Sequence, residues 1–500
     1  MFIELIIVKI LNITYNLNIM EQKTVAQNTT YLTFSYVMQK ILSFVYFVVV
    51  ARFLGVEDLG KYTFALSFTT MFAVFIDLGL TQALIREVAK YTDKAKDYIS
   101  AIIGVKLILG VITFLVVVLG INLMGYPPLT KNLVYLSAIV MVIDSFTLSM
   151  WGIFRGRQNL KLESLSIMIN QSLIVLVGFT VLYLALPLPY LMAPFIVGSS
   201  FSLIFSLIMI RLRLGMWPKI QLNNKLLKPL FLIAWPFAMI AIFSRIYGNA
   251  DSVLLSYLLG SEGDKAVGWY QAAMKIPFAM QFIPSAFAAA IFPAFSHYYH
   301  SDRKQLTNIF DKSMLLLTIV VVPIAFGLFS IAPEAIVTLF GVEFAPSILT
   351  LQIMSFGLVF VFLNFPLGAL LNGCDKQVMN TKLVGIVLLL NVVLNLIFIP
   401  KYQYIGAAYI FLFSHGLLFL MSLFVAKKII PYSKKKLILV FLRTIVSAVV
   451  MAVIVFVLKN YISVFAAIIP AAIVYIVMLY LLKGFTKDDV IYIRKAIIKR

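Results

Sequence analysis

Apolar residues fall in blocks of about 20 along nearly the whole chain, and the stretches between them are short and polar. A block of that length spans a bilayer core as an α-helix. Backbone hydrogen bonding allows only helices or closed barrels to cross a membrane, and unbroken apolar runs without alternation mean helices. Of the 500 residues 62 % are hydrophobic and only 12 % charged, against about 25 % charged in soluble domains. The reading is an all-α integral membrane protein. A formal charge of +21 would suit nucleic acid, but the basic residues sit between apolar blocks, where they act as topology signals. Nucleic acid is therefore excluded as a partner.

Fourteen spans are expected, at about 29–51, 60–85, 98–121, 132–154, 164–186, 190–210, 230–258, 268–293, 313–332, 346–371, 378–399, 404–426, 437–458 and 461–482. No connection between them is long enough for a soluble domain. One side carries 28 Lys and Arg residues, among them Arg155, Arg211, Arg213 and Lys434 to Lys436, and the other carries 6. The richer side is cytoplasmic by the positive-inside rule, so both termini are expected in the cytoplasm and the protein in the cytoplasmic membrane. The basic tracts also suit contact with anionic lipid headgroups. Residues 1–28 form an N-terminal segment. Within it, residues 1–19 read either as an interfacial helix or as an extension ahead of a second start at Met20.

The chain contains a hidden repeat. Leu54-Gly55 is followed by Gly60-Lys61-Tyr62-Thr63-Phe64-Ala65, and Leu259-Gly260 by Gly268-Trp269-Tyr270-Gln271-Ala272-Ala273. The fourth span ends Arg155-Gly156 and the tenth Asn372-Gly373. Corresponding positions lie 205, 208 and 217 residues apart, a drift that loop insertions produce. Six spans return the chain to the same side, so the copies are parallel repeats related by an axis along the membrane normal. Residues 29–228 and 229–428 are expected as two six-helix lobes. Residues 429–500 add a helix pair and a basic tail.

Ionisable residues inside the spans are few, and by default each marks function. Lys40 and Arg245 stand fifteen residues before Gly55 and Gly260, at matching places in the two copies. The others are Asp77, Lys106, Asp144, Asp251 and Lys275, with Arg443 close enough to the cytoplasm to snorkel. At about 1.5 Å per residue, Lys40 lies roughly 18 Å deep, Asp144 roughly 16 Å, Asp77 roughly 13 Å and Lys106 roughly 12 Å. Two readings stand side by side. Asp77 pairs with Lys40 or Lys106 as a packing bridge, or Lys40, Arg245, Lys275 and Lys106 line a cavity for an anionic substrate. In the second reading Asp77, Asp144 or Asp251 carries a coupling ion or pairs with a cation. Pro236, Pro277, Pro284, Pro323 and Pro366 lie in spans and can break or flex them.

Several chemistries lack their residues. His297 and His300 are three apart with only Asp302 near, and His415 stands alone, so no metal site is expected. Cys374 is the single cysteine and reads as packing near a helix end. There is no nucleotide-binding glycine loop and no coherent nucleophile–base set. No enzyme activity and no cofactor are expected, and an ion gradient is the expected drive.

The opening span with its internal cation, Phe53-Leu54-Gly55 with Gly60-x-Tyr62, Asp77-Leu78-Gly79-Leu80 with Arg86-Glu87, and Arg155-Gly156 together resemble one family. So does the second block, Leu259-Gly260 with Gly268-x-Tyr270-x-x-Ala273. The chain is similar, over about residues 25–485, to the polysaccharide-export branch of the multidrug/oligosaccharidyl-lipid/polysaccharide exporters, the Wzx-type O-antigen or repeat-unit flippases. The resemblance implies two six-helix lobes around a cavity, and a terminal pair with a groove for a polyprenyl tail. It implies a polyprenyl-diphosphate-linked oligosaccharide as substrate, turned outward by alternating access. Cavity cations of such flippases engage the diphosphate, which carries over to Lys40 and Arg245. Polymerase and glycosyltransferases of the same pathway are the expected protein partners. Two alternatives compete. A multidrug exporter of the same superfamily would want an acidic cavity. A non-transporting component of a polysaccharide assembly would tolerate neutral residues at positions 40 and 245.

Overall fold

The computed structural model describes residues 19–484. Residues 1–18 and the basic tail after 484 lie outside the described residues. The helices are α1 (Ile19–Asp77), α2 (Leu80–Lys90), α3 (Ala95–Leu123), α4 (Pro128–Gly156), α5 (Lys161–Tyr183), α6 (Ala193–Leu214), α7 (Asn224–Tyr247), α8 (Ala250–Leu259), α9 (Gly263–Met280), α10 (Phe282–Ser301), α11 (Arg303–Phe340), α12 (Ser347–Gly373), α13 (Gln377–Ile429), α14 (Lys434–Leu458) and α15 (Val464–Leu481). Four short 3₁₀ turns complete the regular structure, and no strand occurs among the described residues.

Among the described residues 11 helical stretches are long and apolar enough to cross a membrane, and Ala466–Leu481 is a shorter apolar helix. The expected count of fourteen is not reproduced in that form, because some neighbouring spans run together. Two of the joins are sharp. Residue Gly55 in α1 takes φ 69°, ψ −175°, which a side chain would strain. Gln403 in α13 takes φ 51°, ψ −136°. These points fall between the expected spans 29–51 and 60–85, and at the edge between 378–399 and 404–426.

The described residues gather into two compact units, one ending at Gln271 and the other beginning at Ala272. The division falls inside α9, so α7 and α8, which open the second repeat, pack within the first unit. There α1 lies against α3, α4, α5, α7 and α8. The core joins Leu80, Leu84 and Val88 of α2 to Ile99 and Ile102 of α3, Trp151 and Phe154 of α4, and Ile210 of α6. Gly156 makes this possible: a Cβ there would lie 2.9 Å from the Val88 side chain. Helix α1 ends at Asp77 because Leu78 and Gly79 turn left-handed, with φ 42° and 75°. Gly79 then meets α7 so closely that a Cβ would lie 2.4 Å from Ala234 O.

In the second unit α11 is the organiser, packed by α10, α12, α14 and α15. Its start is capped by Asp302, which accepts from the Lys304 and Gln305 amides at 2.9 and 3.0 Å. Pro323 and Pro333 lie inside α11 without breaking it. Each removes the N–H that would bond the carbonyl four residues earlier. Donors from other helices fill both gaps. The Tyr475 hydroxyl of α15 bonds Ile319 O at 2.7 Å, and Gln352 Nε2 of α12 bonds Phe329 O at 3.3 Å. Lys459 at the end of α14 pairs with Glu334 at 3.0 Å. Pro236, Pro277 and Pro366 likewise sit inside continuous helices, and Pro284 lies in the first turn of α10. Helix breaks fall at Gly55, Leu78-Gly79, Gly248-Asn249, Gln281 and Gln403; of the five prolines only Pro284 stands beside one, three residues after Gln281.

Candidate functional site

Asp77 stands at the broken end of α1, and Lys106 reaches it from α3. Lys106 has 0 % exposure, and its Nζ lies 2.5 Å from Asp77 Oδ1. The same ammonium donates to Ser145 O at 2.8 Å, Ser145 Oγ at 3.2 Å and Thr81 Oγ1 at 3.2 Å. Thr81 also donates to Asp77 and shares a 3.1 Å hydroxyl contact with Ser149. An ammonium has three donors, and all are taken here. A buried charge must be paired and hydrogen-bonded in this way to persist. Asp77 and Lys106 are thus brought together as a closed pair, with no side-chain surface left on Lys106.

Lys40 and Arg245 are different. Both side chains are exposed, Lys40 on the first arm of α1 and Arg245 near the end of α7. Asp144 of α4 is exposed too, and it accepts a hydrogen bond from Ser199 of α6. All three belong to the first unit. Lys40 and Asp144 lie well inside apolar helices, where a charge facing lipid is costly, and Arg245 lies in the last turn of α7 before the break at Gly248-Asn249.

Arg245 and Asp251 are separated by the helix break between Tyr247 and Ala250. Asp251 is 7 % exposed and accepts a 2.6 Å bond from the Tyr270 hydroxyl. Beside it Gln271 donates to Ser252 at 2.6 Å. Lys275 is half-buried on the part of α9 that belongs to the second unit. Among the described residues no group of three or more His, Cys, Asp or Glu side chains is placed to hold a metal ion.

Sequence reasoning missed three groups. Glu163 is buried and binds Arg155, whose Nε donates to its two oxygens at 3.1 and 2.9 Å. Tyr270 was singled out only as part of the repeat, whose other copy, Tyr62, is also buried; the repetition was the available signal. Asn391, Asn395 and Ser414 form a buried chain of 3.1 Å amide and hydroxyl bonds in α13. Their i,i+4 spacing in an apolar run could have marked them.

The profile of the family described as "Polysaccharide biosynthesis protein" matches residues 25–299, and that of MatE matches residues 236–397. The capsular polysaccharide biosynthesis protein CapF of Staphylococcus aureus is 24 % identical over 387 residues, 76 % of this chain and 94 % of that protein. The probable low-salt glycan biosynthesis flippase Agl15 of Haloferax volcanii is 22 % identical, over 72 % of this chain and 74 % of its own. Among solved structures, the lipid II flippase MurJ in an inward closed conformation superposes with a TM-score of 0.74 at 17 % identity. It covers 92 % of this chain and 99 % of that one, and it shows the fold.

Proposed function

This chain belongs to the polysaccharide biosynthesis protein family, and from that premise we propose that it flips a polyprenyl-diphosphate-linked oligosaccharide across the cytoplasmic membrane for cell-surface polysaccharide synthesis. The observation that carries the reading is the exposure of Lys40, inside α1, and of Arg245, in the last turn of α7, at equivalent places in the repeat. Two such cations suit an anion, and a lipid diphosphate supplies one while its tail stays in hydrocarbon. Basic side chains hold phosphate oxygens by short charge-assisted bonds. Lys275, in the other compact unit, is a further candidate cation by itself. Lys106 is left out of it, because its donors are consumed by Asp77, Ser145 and Thr81. Asp144, exposed beside Ser199, is the carboxylate best placed to take up a coupling proton or cation. The cycle is alternating access, driven by an ion gradient, with residues 29–228 and 229–428 as the repeating lobes. Both termini face the cytoplasm, where the basic tracts lie, and polymerase and glycosyltransferases act before and after the step.

With Asp77 and Lys106 cancelling, the exposed set remains cationic, which disfavours export of cationic drugs. The test is complementation of a flippase-deficient strain by Lys40→Ala and Arg245→Ala at matched expression. A charge-assisted bond is worth about 1.5–3 kcal/mol, so each loss should weaken apparent affinity roughly 10- to 100-fold. Lys40→Arg and Arg245→Lys should retain activity. Full activity in both alanine variants would remove the cations from the mechanism.

A further inference from the structure

The two copies of the glycine motif do more than mark the repeat. An ideal Cβ built on Gly60 would lie 1.7 Å from Asp264 O, and one on Gly268 would lie 2.1 Å from Val56 O. Val56 stands four residues before Gly60, and Asp264 four residues before Gly268. Each glycine therefore rests on the carbonyl one turn ahead of its counterpart. The contact is isologous: the same patch from each copy meets the other, as across a two-fold axis. It lies wholly within the unit that ends at Gln271. Polar bonds flank it, with Tyr126 donating to Ser256 Oγ at 2.9 Å and Gln271 Nε2 lying 3.5 Å from Ser67 Oγ. Phe64 stacks on Tyr126 at 4.8 Å.

We infer that these two blocks form a glycine clasp, which closes the outer end of the transport path by direct backbone contact and must part for the substrate to leave. The inference rests on the flippase reading above and on the outer placement of the Gly55 and Gly260 turns, opposite the basic tracts. Two bare backbones at this distance leave no passage, and Cα–H···O=C contacts hold them weakly enough to separate. Real Cβ atoms essentially never come within 3.0 Å of such atoms. Alanine at position 60 must therefore part the helices by 3.0 less 1.7, or 1.3 Å, and at position 268 by 0.9 Å. The Tyr126 and Gln271 bonds set how readily the clasp opens.

The test places a single reporter cysteine at Ala266, which is 1 % exposed, in a Cys374→Ser background. Labelling by a membrane-impermeant maleimide is followed from each side of the membrane. The clasp predicts slow labelling in the parent. Gly60→Ala and Gly268→Ala should raise the outer-side rate at least ten-fold and lower flipping. Tyr126→Phe, which adds no bulk, should raise it about five-fold, as one net hydrogen bond allows. Gly120→Ala, whose Cβ would meet only Phe68 at 3.7 Å, should leave it unchanged. Unchanged labelling in Gly60→Ala, Gly268→Ala and Tyr126→Phe, or labelling only from the cytoplasmic side, overturns the clasp. Labelling is read without substrate, so loss of the flippase reading would show as absent transport with the labelling pattern intact.

Discussion

Lys106→Met isolates the energetics of the buried pair. The substitution keeps an unbranched apolar stem and removes the ammonium that binds Asp77 at 2.5 Å and Ser145 O at 2.8 Å. Asp77 is left as a poorly solvated carboxylate with Thr81 as its remaining donor. Breaking one side of a buried pair costs about 3–5 kcal/mol. For a unit of this size roughly 2–4 °C of Tm accompanies each kcal/mol, so Tm should fall by about 6–20 °C. Asp77→Asn should cost a similar amount by stranding the lysine. Joining Lys106→Met to Asp77→Leu replaces both charges with apolar volume and should recover most of the loss, as buried ion pairs do when replaced whole. The assay is thermal unfolding of detergent-purified protein followed by tryptophan fluorescence, with Trp151 in the adjoining core. Single variants melting within about 2 °C of the parent, or a double variant as unstable as both losses combined, would refute the reasoning. A folded double variant that no longer flips substrate would return Lys106 to the binding set.

Two further outcomes follow from the second unit. Tyr475→Phe leaves Ile319 O without the donor that Pro323 withholds, at a cost of about 1–3 kcal/mol; Pro323→Ala restores the helix N–H, so in that background the same change should cost under about 0.5 kcal/mol, measured as a thermal double-mutant cycle. Burial pushes the Cys374 thiol up to about 11, with Arg303 nearby pulling the other way. The thiolate is the reactive form, so alkylation of the native protein should be slow at neutral pH. Its rate should climb about ten-fold per pH unit toward pH 11, and a plateau near pH 9 would contradict this.

Membrane class and repeat were legible because both rest on patterns longer than any local accident. Lys40 and Arg245 could be matched without coordinates, since each is fixed to a glycine motif. The partner of Asp77 could not be chosen in advance. Depth along a helix fixes height, not azimuth, and the left-handed turn at Leu78-Gly79 re-aims the end of α1 toward Lys106. The continuity of α11 through Pro323 and Pro333 was not legible for a related reason. In water a proline's missing N–H breaks a helix, but here Tyr475 and Gln352 from neighbouring helices supply the donors, and no local signal reveals a donor 156 residues away. The fourteen-span count blurred where two spans join through a single residue such as Gln403 rather than through a polar loop.

The stapling of α11 bears on how the protein is made. Glu334 and the Ile319 carbonyl leave the ribosome long before Lys459 and Tyr475. Until then the Ile319 carbonyl, inside the span, lacks its partner, and a carbonyl in that state is costly in hydrocarbon. The order of translation and the order of packing therefore run against each other. The last two helices thus complete polar contacts that α11 cannot complete by itself.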